Sequence, residues 1–159
     1  MKRRVVITGV GPVTPIGTGK EIFWSNLIAG KSGVGIITRF DPKDVDAKIA
    51  GEVKDFDYAD YMDKKEGKRM DRVTHFAVAA AKLAVEDAKL DLEKINQIRA
   101  GVCVGSGIGG IETFVEQTTK YVEKGPSKIS PFFIPMEIPN MPAGQTSIAL
   151  GFKGPNTAI

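Results

Sequence analysis

The stretch of sequence that decides the fold is Ala100-Gly101-Val102-Cys103-Val104-Gly105-Ser106-Gly107-Ile108-Gly109-Gly110. Its first five residues are a short apolar run, which predicts a buried strand of a parallel sheet. Its last six residues, Gly105–Gly110, are a glycine-rich turn that we call the glycine turn. The sequence from Ile111 to Val122 then has the pattern of a helix. A strand that leads through a tight turn into a helix is typical of an α/β fold.

The same alternation of strand and helix occurs in the first half of the chain. Residues Val5 to Thr8 are an apolar run closed by glycine, which predicts another buried strand. A helix with a capping box at Thr18 and Glu21 and a left-handed C-terminal cap at Gly30 is expected next. From Asp71 to about Lys89, apolar residues recur three and four positions apart, which predicts a largely buried helix.

The remaining segments are less regular. Residues 31–62 predict loops with an edge strand near Ile49 to Val53. The segment 131–142, which we call the apolar segment, contains four prolines, so no regular helix is expected there. A helix is predicted to restart after the N-cap Asn140 and to run to Gly151. Pro155 to Ile159 predict a third buried strand.

Composition excludes several classes of function. Hydrophobic residues make up 42% of the chain and charged residues 26%, as in soluble globular proteins. The net charge of +3 is too small for a protein that binds nucleic acid through overall charge. No apolar run approaches the roughly 18 to 20 residues that span a bilayer, and no signal peptide is recognised, which predicts a cytoplasmic protein.

The glycine turn fits the G-x-G-x-x-G pattern of dinucleotide-binding proteins. Such a unit also needs a second strand that ends in an acidic residue about 20 positions further on. A long helix and a Lys-Gly-Pro turn occupy that interval, so nucleotide binding is the weaker interpretation. The alternative is a turn in which missing Cβ atoms let neighbouring groups approach closely, with Ile108 projecting from it.

Cys103 and His75 are the only cysteine and histidine of the chain. Valines flank Cys103 in the predicted strand, so a buried and unreactive thiol is expected. His75 shares one helical face with Lys82 and Glu86, which predicts an exposed histidine. A disulfide within the chain is excluded, and a zinc site of the Cys/His type is implausible, so no metal is predicted.

A cluster of cations precedes the predicted helix at Asp71. Its members are Lys64, Lys65, Lys68, Arg69 and Arg72. If residues 63–72 are one helix, Lys64, Lys68 and Arg72 align on one face, where like charges repel slightly. Two interpretations stay open: a solvated face relieved by nearby acids, or a docking surface for an acidic or phosphate-bearing partner.

The apolar segment also has two interpretations. It is either a loop that covers the core or an apolar surface that lines a pocket or meets a second subunit. The adjacent Phe132 and Phe133 in a proline-stiffened loop favour the second, because such side chains lose little entropy on binding.

Three stretches together resemble the 3-oxoacyl-acyl-carrier-protein synthases, the condensing enzymes of bacterial fatty-acid synthesis. They are Arg4-Val5-Val6-Ile7-Thr8-Gly9 with Gly11, the glycine turn, and Ser130-Pro131-Phe132-Phe133-Ile134-Pro135. Lys64 to Asp71 and Gly154-Pro155-Asn156 also lie at the spacing of the type II members. The resemblance extends over the full chain.

The resemblance implies a thiolase-like αβαβα fold of two similar halves. Residues 1–159 would be an N-terminal ketosynthase domain that supplies most of the first half, so the fold is incomplete in this chain. Such enzymes are homodimers that load an acyl group from acyl carrier protein onto a cysteine. They then decarboxylate malonyl-acyl carrier protein to a carbanion that attacks the thioester, usually with two histidines assisting. No cofactor is implied, because phosphopantetheine arrives on the carrier protein.

The resemblance also implies roles for particular residues. The strand that begins at Pro155 should deliver the nucleophilic cysteine a few residues beyond Ile159, at a helix N-terminus that stabilises thiolate. The chain is therefore expected to be cut before that turn and to contain no catalytic residue. Ile108 matches the residue that gates the acyl pocket, and Phe133 and Ile134 match the part that reaches the neighbouring subunit's pocket. The carrier-docking patch is matched by Lys64, Lys65, Lys68 and Arg69.

Three classes of function compete. The leading one is a condensing acyltransferase to which this chain contributes recognition surfaces. The second is a non-catalytic ketosynthase-like partner that sets chain length or binds the carrier, and the third is a nucleotide-binding domain. Because the first half of such a fold leaves sheet edges and an apolar helix face uncovered, the isolated chain is also expected to be poorly stable.

Overall fold

Helices and short strands alternate along residues 3–159, the part of the chain that the computed structural model describes. The helices are α1 (Lys20–Ile28), α2 (Lys64–Gly67), α3 (Arg72–Asp87), α4 (Ile111–Lys124), α5 (Phe133–Glu137) and α6 (Met141–Leu150). The strands are β1 (Val13–Thr14), β2 (Gly17–Thr18), β3 (Val34–Ile36), β4 (Ile49–Gly51), β5 (Val102–Val104) and β6 (Asn156–Ala158). The predicted domain begins at residue 1, and residues 1 and 2 lie outside the described range.

The strands form two-stranded pairs. β5 and β6 are parallel, with Val102 opposite Asn156 and Val104 opposite Ala158. Parallel neighbours need a long crossover connection, which α4, α5 and α6 supply. The predicted α/β class is therefore confirmed, and so is a strand within residues 155–159. The predicted burial of that strand is wrong, because Asn156 and Thr157 are exposed. The edge strand expected within residues 49–53 is confirmed as β4, which is antiparallel to β3.

The most buried part of the fold is the contact between α3 and α6. Its buried apolar side chains are Val78, Ala79, Ala143 and Leu150. α3 begins at the N-cap Asp71, and α6 ends at Gly151, which adopts the left-handed conformation with φ 70°. Both predicted helices are confirmed. The apolar stripe predicted for α3 is nevertheless mostly half-buried, because only one side of the helix faces α6.

The predicted strand Val5–Thr8 is wrong, since these residues form no strand. Val5 is 94% exposed. A buried parallel strand needs hydrogen-bonded neighbours, and no strand within residues 3–159 pairs with this segment. Just after it, the chain lies against α3, where an added Cβ at Gly11 would be 1.9 Å from the Ala80 carbonyl oxygen. Glycine is required there because any side chain would overlap the helix backbone.

Helix ends differ in part from the predictions. The capping box of Thr18 and Glu21 is wrong, because Thr18 belongs to β2 and Gly19 precedes α1 without a side-chain cap. The left-handed Gly30 after α1 is confirmed, with φ 66°. Asn140 does precede α6, but its side chain forms no capping hydrogen bond. Backbone geometry rather than side-chain capping therefore starts both helices.

The apolar segment contains a short helix, α5, where no regular helix was expected. Pro135 is its third residue. The N–H groups of a first helical turn make no hydrogen bond within the helix, so proline, which has no N–H, is tolerated there. The helix ends at Glu137, because the next residue, Ile138, is extended and precedes Pro139. The prolines therefore limit the helix to five residues without preventing it.

Much apolar side-chain area lies on the surface. Examples are Trp24 on α1, Val122 on α4 and Ile148 on α6, each more than half exposed. Within residues 3–159, no helix has both the length and the apolar character that crossing a lipid bilayer requires.

Candidate functional site

The glycine turn packs directly against the apolar segment. The Gly110 N–H donates to the Glu137 carbonyl oxygen at 2.7 Å. An added Cβ at Gly110 would lie 2.2 Å from the Met136 carbonyl oxygen, and an added Cβ at Gly109 would lie 2.4 Å from that of Glu137. Gly109 also has φ 83°, a conformation that favours glycine. The prediction of a turn that needs missing Cβ atoms is confirmed.

The same contacts argue against a dinucleotide site at the glycine turn. Such a site binds pyrophosphate through free backbone N–H groups at the turn and the helix start. Here the Gly110 N–H is already bonded to the apolar segment, and the Gly109 N–H donates to Ser106 Oγ at 3.0 Å. The Thr113 N–H, in the first turn of α4, donates to the Asp71 carboxylate at 2.8 Å. These donors are therefore used within the protein.

Ile108 projects from the glycine turn and is 64% exposed. The turn that carries it is held by the bond from Gly109 to Ser106 and by the contact of Gly110 with Glu137. An apolar side chain is thus presented to the outside on a backbone that the protein holds firmly. The role of Ile108 at an acyl pocket stays a prediction.

Phe133 and Ile134 begin α5 and face different surroundings. The Phe133 ring is half-buried and lies 6.3 Å from the Phe114 ring of α4, measured between centroids. Ile134 is 56% exposed. Phe133 therefore packs between α5 and α4, whereas Ile134 is available for a contact outside residues 3–159.

The basic face comprises four exposed cations: Lys64, Lys65, Lys68 and Arg69. Asp63 starts α2 by accepting from the Lys65 N–H at 2.8 Å and from the Glu66 N–H at 3.1 Å. Because α2 ends at Gly67 and α3 begins at Arg72, the two are separate helices. The expected alignment of Lys64, Lys68 and Arg72 along one helix is therefore wrong.

Arg72 turns away from the basic face and into the fold. Its guanidinium donates to the Val53 carbonyl oxygen at 2.6 Å and lies 4.7 Å from the centroid of the Phe76 ring. Burial, with the nearby charge of Arg39, lowers the pKa of Arg72 from its ordinary value. Arg72 stabilises the interior, and only the other four cations remain for a partner.

A cation–π contact connects the basic face to the apolar segment. The Arg69 guanidinium carbon lies 4.6 Å from the centroid of the Phe132 ring. The two residues are far apart in sequence, so local pattern carries no signal of this contact. Two surfaces that were predicted separately are therefore neighbours.

Asp71 is a further residue whose role in the site the sequence did not reveal. Its carboxylate is 4% exposed and binds backbone N–H groups of both α3 and α4. The acidic residue before an apolar periodic segment is a signal for a helix N-cap. The second bond, to α4, depends on tertiary structure and could not be found that way.

The predicted burial of Cys103 and the predicted exposure of His75 are both wrong, and the unreactive character of the Cys103 thiol stays a prediction. Cys103 lies in β5 but is exposed, whereas its neighbours Val102 and Val104 are half-buried. His75 is partly buried: its ring stacks on Tyr58 with centroids 4.4 Å apart, and its Nε2 lies 2.8 Å from the Gly67 carbonyl oxygen. Among residues 3–159, no group of three or more His, Cys, Asp or Glu side chains is arranged to hold a metal ion.

The described fold matches solved ketosynthases. The ishigamide ketosynthase/chain length factor has a TM-score of 0.91 at 30% identity, covering 100% of this chain and 40% of its own. A beta-ketoacyl synthase from Burkholderia phymatum has a TM-score of 0.75 at 26% identity, and the match covers 99% of this chain and 39% of that synthase. A type II polyketide ketosynthase in complex with its acyl-carrier protein has a TM-score of 0.79 at 23% identity, and the match covers 99% of this chain and 41% of that ketosynthase. The fold is therefore that of the thiolase-like ketosynthases, as predicted.

The chain belongs to the beta-ketoacyl synthase family, whose N-terminal domain matches residues 2–159. It is 51% identical to 3-oxoacyl-[acyl-carrier-protein] synthase 2 of Synechocystis sp., over 98% of this chain and 37% of the relative. It is 49% identical to the synthase 2 of Staphylococcus aureus strain COL, over 98% of this chain and 38% of the relative. The chain thus spans somewhat less than two fifths of the length of these curated relatives.

Proposed function

We propose that the chain is the N-terminal part of a type II 3-oxoacyl-acyl-carrier-protein synthase. The observation that carries this proposal is the 51% identity to the Synechocystis synthase 2 over 98% of the chain. In the proposed reaction, an acyl group is first held as a cysteine thioester. Malonyl-carrier protein then loses its carboxylate as CO2, and the resulting carbanion attacks the thioester carbonyl. A carbon–carbon bond forms, the carbon–sulfur bond breaks, and the cysteine leaves as thiolate.

This chain contributes recognition in the proposal, and no residue within it is assigned a catalytic step. Ile108, Phe133 and Ile134 form an acyl-binding region, with Ile134 reaching a second subunit of a homodimer. Support comes from the exposed position of Ile108 on a firmly held turn and from the packing of that turn against the apolar segment. No cofactor is needed, since the phosphopantetheine arm is part of the carrier protein. The cytoplasm is the proposed location.

The basic face is proposed to bind acyl carrier protein. Among residues 3–159, none of its four cations has a carboxylate oxygen within 4.0 Å, so their charges are available to an acidic partner. A structural relative was solved with its acyl-carrier protein bound. The contact between Arg69 and Phe132 would bring a bound carrier next to the acyl-binding region.

The second candidate function is a non-catalytic subunit that sets chain length. It is favoured by one observation, the TM-score of 0.91 with a solved structure described as a ketosynthase/chain length factor. Such a subunit would keep the recognition surfaces and lack the nucleophile. The coding sequence after residue 159 separates the two, because a condensing enzyme needs a cysteine within about one helical turn of that point.

A hybrid enzyme tests the leading proposal. In this hybrid, the chain replaces the matching part of the Synechocystis relative. We expect condensation of acyl-loaded carrier protein with malonyl-carrier protein at a rate within about tenfold of that relative, since 51% of the aligned residues are identical and volume-conserving changes are tolerated in a core. A hybrid that has the melting temperature and subunit composition of the relative but no condensing activity would contradict the proposal.

Charge reversal on the basic face is expected to weaken carrier binding. In the hybrid, Lys65→Glu should raise the dissociation constant for acyl carrier protein by about tenfold, mainly through slower association. Titration calorimetry at low and high salt measures this, and the difference should shrink as salt screens the charges.

The matched control is Lys31→Glu, which makes the same charge change at an exposed position outside the basic face. It should leave the dissociation constant nearly unchanged. Equal weakening by both substitutions would show that only overall charge matters and would contradict docking at the basic face.

A further inference from the structure

Asp71 lies where the three recognition surfaces meet. It follows the basic face by two residues and starts α3. It also lies beside the glycine turn, because an added Cβ at Gly110 would be 3.0 Å from the Asp71 Cβ. Gly110 is in turn bonded to the apolar segment. A carboxylate that is only 4% exposed needs hydrogen-bond donors to offset its lost hydration.

The two carboxylate oxygens of Asp71 bind two different helices. Oδ1 accepts from the Val73 N–H at 3.1 Å and so caps α3. Oδ2 accepts from the Thr113 N–H at 2.8 Å, in the first turn of α4 and 42 residues away in the chain. Each helix N-terminus carries a partial positive charge, so one carboxylate is favoured by both. The side chain therefore holds the start of α4 against the start of α3.

We propose that Asp71 is a positioning residue for acyl selection. By joining α3 to the first turn of α4, it fixes the glycine turn, and with it Ile108, relative to the basic face. Only Gly109 and Gly110 separate Ile108 from the start of α4, so movement of that first turn would move Ile108. This inference rests on the proposed function for the role of Ile108. The two bonds from Asp71 to α3 and α4, which we call the double cap, rest on geometry alone.

The substitution Asp71→Ser separates the two bonds. A serine hydroxyl still caps α3, because it can accept from the N–H groups of its own helix. It has no second oxygen for α4. In the hybrid, we expect the Thr113 amide to exchange its hydrogen about 10 to 100 times faster, with little change at Val73. Hydrogen exchange measured by mass spectrometry or NMR reports both amides.

The same variant is then assayed with long and short acyl chains. We expect the ratio of kcat/KM between them to change by about tenfold, the usual order for a pocket that discriminates methylene groups. A general loss of stability would lower both values together and leave the ratio unchanged. The control is Asp57→Ser, which removes an exposed carboxylate that caps a short turn by accepting from Ala59 N–H, and it should change neither readout.

Each outcome supports or overturns the inference. Unchanged exchange at Thr113, or faster exchange throughout the protein, overturns the double cap as a positioning device. Faster exchange at Thr113 with an unchanged acyl ratio overturns the link to Ile108. If Asp71→Ser does not fold, Asp71→Asn, which keeps the size and one acceptor oxygen, is judged by the same two readouts. An inactive parent hybrid would overturn the proposed function instead, and exchange at Thr113 would still decide whether Asp71 holds α4.

Discussion

The isolated 159-residue chain is expected to give no cooperative unfolding transition as a monomer. Its structure exposes 11110 Å2 of surface. A folded monomer of 17.1 kDa typically exposes about 7800 Å2. The excess of about 3300 Å2 lies in the range of obligate interfaces between subunits. A chain that leaves so much area in contact with water loses much of the hydrophobic stabilisation that offsets conformational entropy.

Exposed apolar side chains contribute to this excess, and they belong to identifiable elements. Val5 and Ile7 lie in a segment without regular secondary structure that pairs with no strand in residues 3–159, and they are 94% and 87% exposed. Ile148 lies on α6, whose other side forms the core, and is 74% exposed. An unpaired segment and an uncovered helix face of this kind favour association over a monomeric state.

Calorimetry and sedimentation measure this expectation. We expect a broad transition whose enthalpy falls well below the roughly 0.7 kcal/mol per residue of globular domains, together with concentration-dependent association. The hybrid enzyme is the control, since its remaining length supplies partners for these surfaces. A monomer at all concentrations with a sharp transition of ordinary enthalpy would contradict the prediction.

The sequence predicted those parts of the fold that depend on local pattern. The helix at Arg72–Asp87 follows from apolar residues that recur three and four positions apart within one stretch of chain. The helix at Met141–Leu150 follows from Pro142 in its first turn and from the left-handed Gly151 after it. The segment Val5–Thr8 has the same local character as a buried strand, but pairing depends on distant partners that local pattern does not contain.

The same division holds for the candidate site. The projection of Ile108 follows from a turn of glycines that leaves a single apolar side chain, whereas its role at the acyl pocket is implied by the family resemblance and stays a prediction. The contact of Arg69 with Phe132 and the bond of Asp71 to Thr113 join residues far apart in sequence, so periodicity gives no sign of them. His75 was mispredicted for a similar reason: its helical face is polar, yet Tyr58 from another segment covers it.

Gly110→Ala is expected to have the largest effect of any single substitution in the site. The added Cβ would lie 2.2 Å from the Met136 carbonyl oxygen, 2.9 Å from the Glu137 Cα and 3.0 Å from the Asp71 Cβ. Two of these atoms belong to backbone, so no side-chain rotation can relieve the overlap, and the glycine turn must separate from the apolar segment. Overpacking of this kind costs about 3 kcal/mol or more. In the hybrid, we expect a melting temperature lower by several degrees and condensing activity reduced more than about a hundredfold.

Gly107→Ala is the matched control in the same turn. An added Cβ at Gly107 would meet no atom within 4 Å, and its φ lies outside the left-handed region. Alanine there should leave the melting temperature and the activity close to those of the parent hybrid. If both substitutions reduce activity equally, the flexibility of the whole turn determines activity. The close contact of Gly110 with the apolar segment would then not be the cause. If Gly110→Ala is tolerated, the apolar segment does not lie against the glycine turn, and the packing that supports the proposed acyl-binding region is wrong.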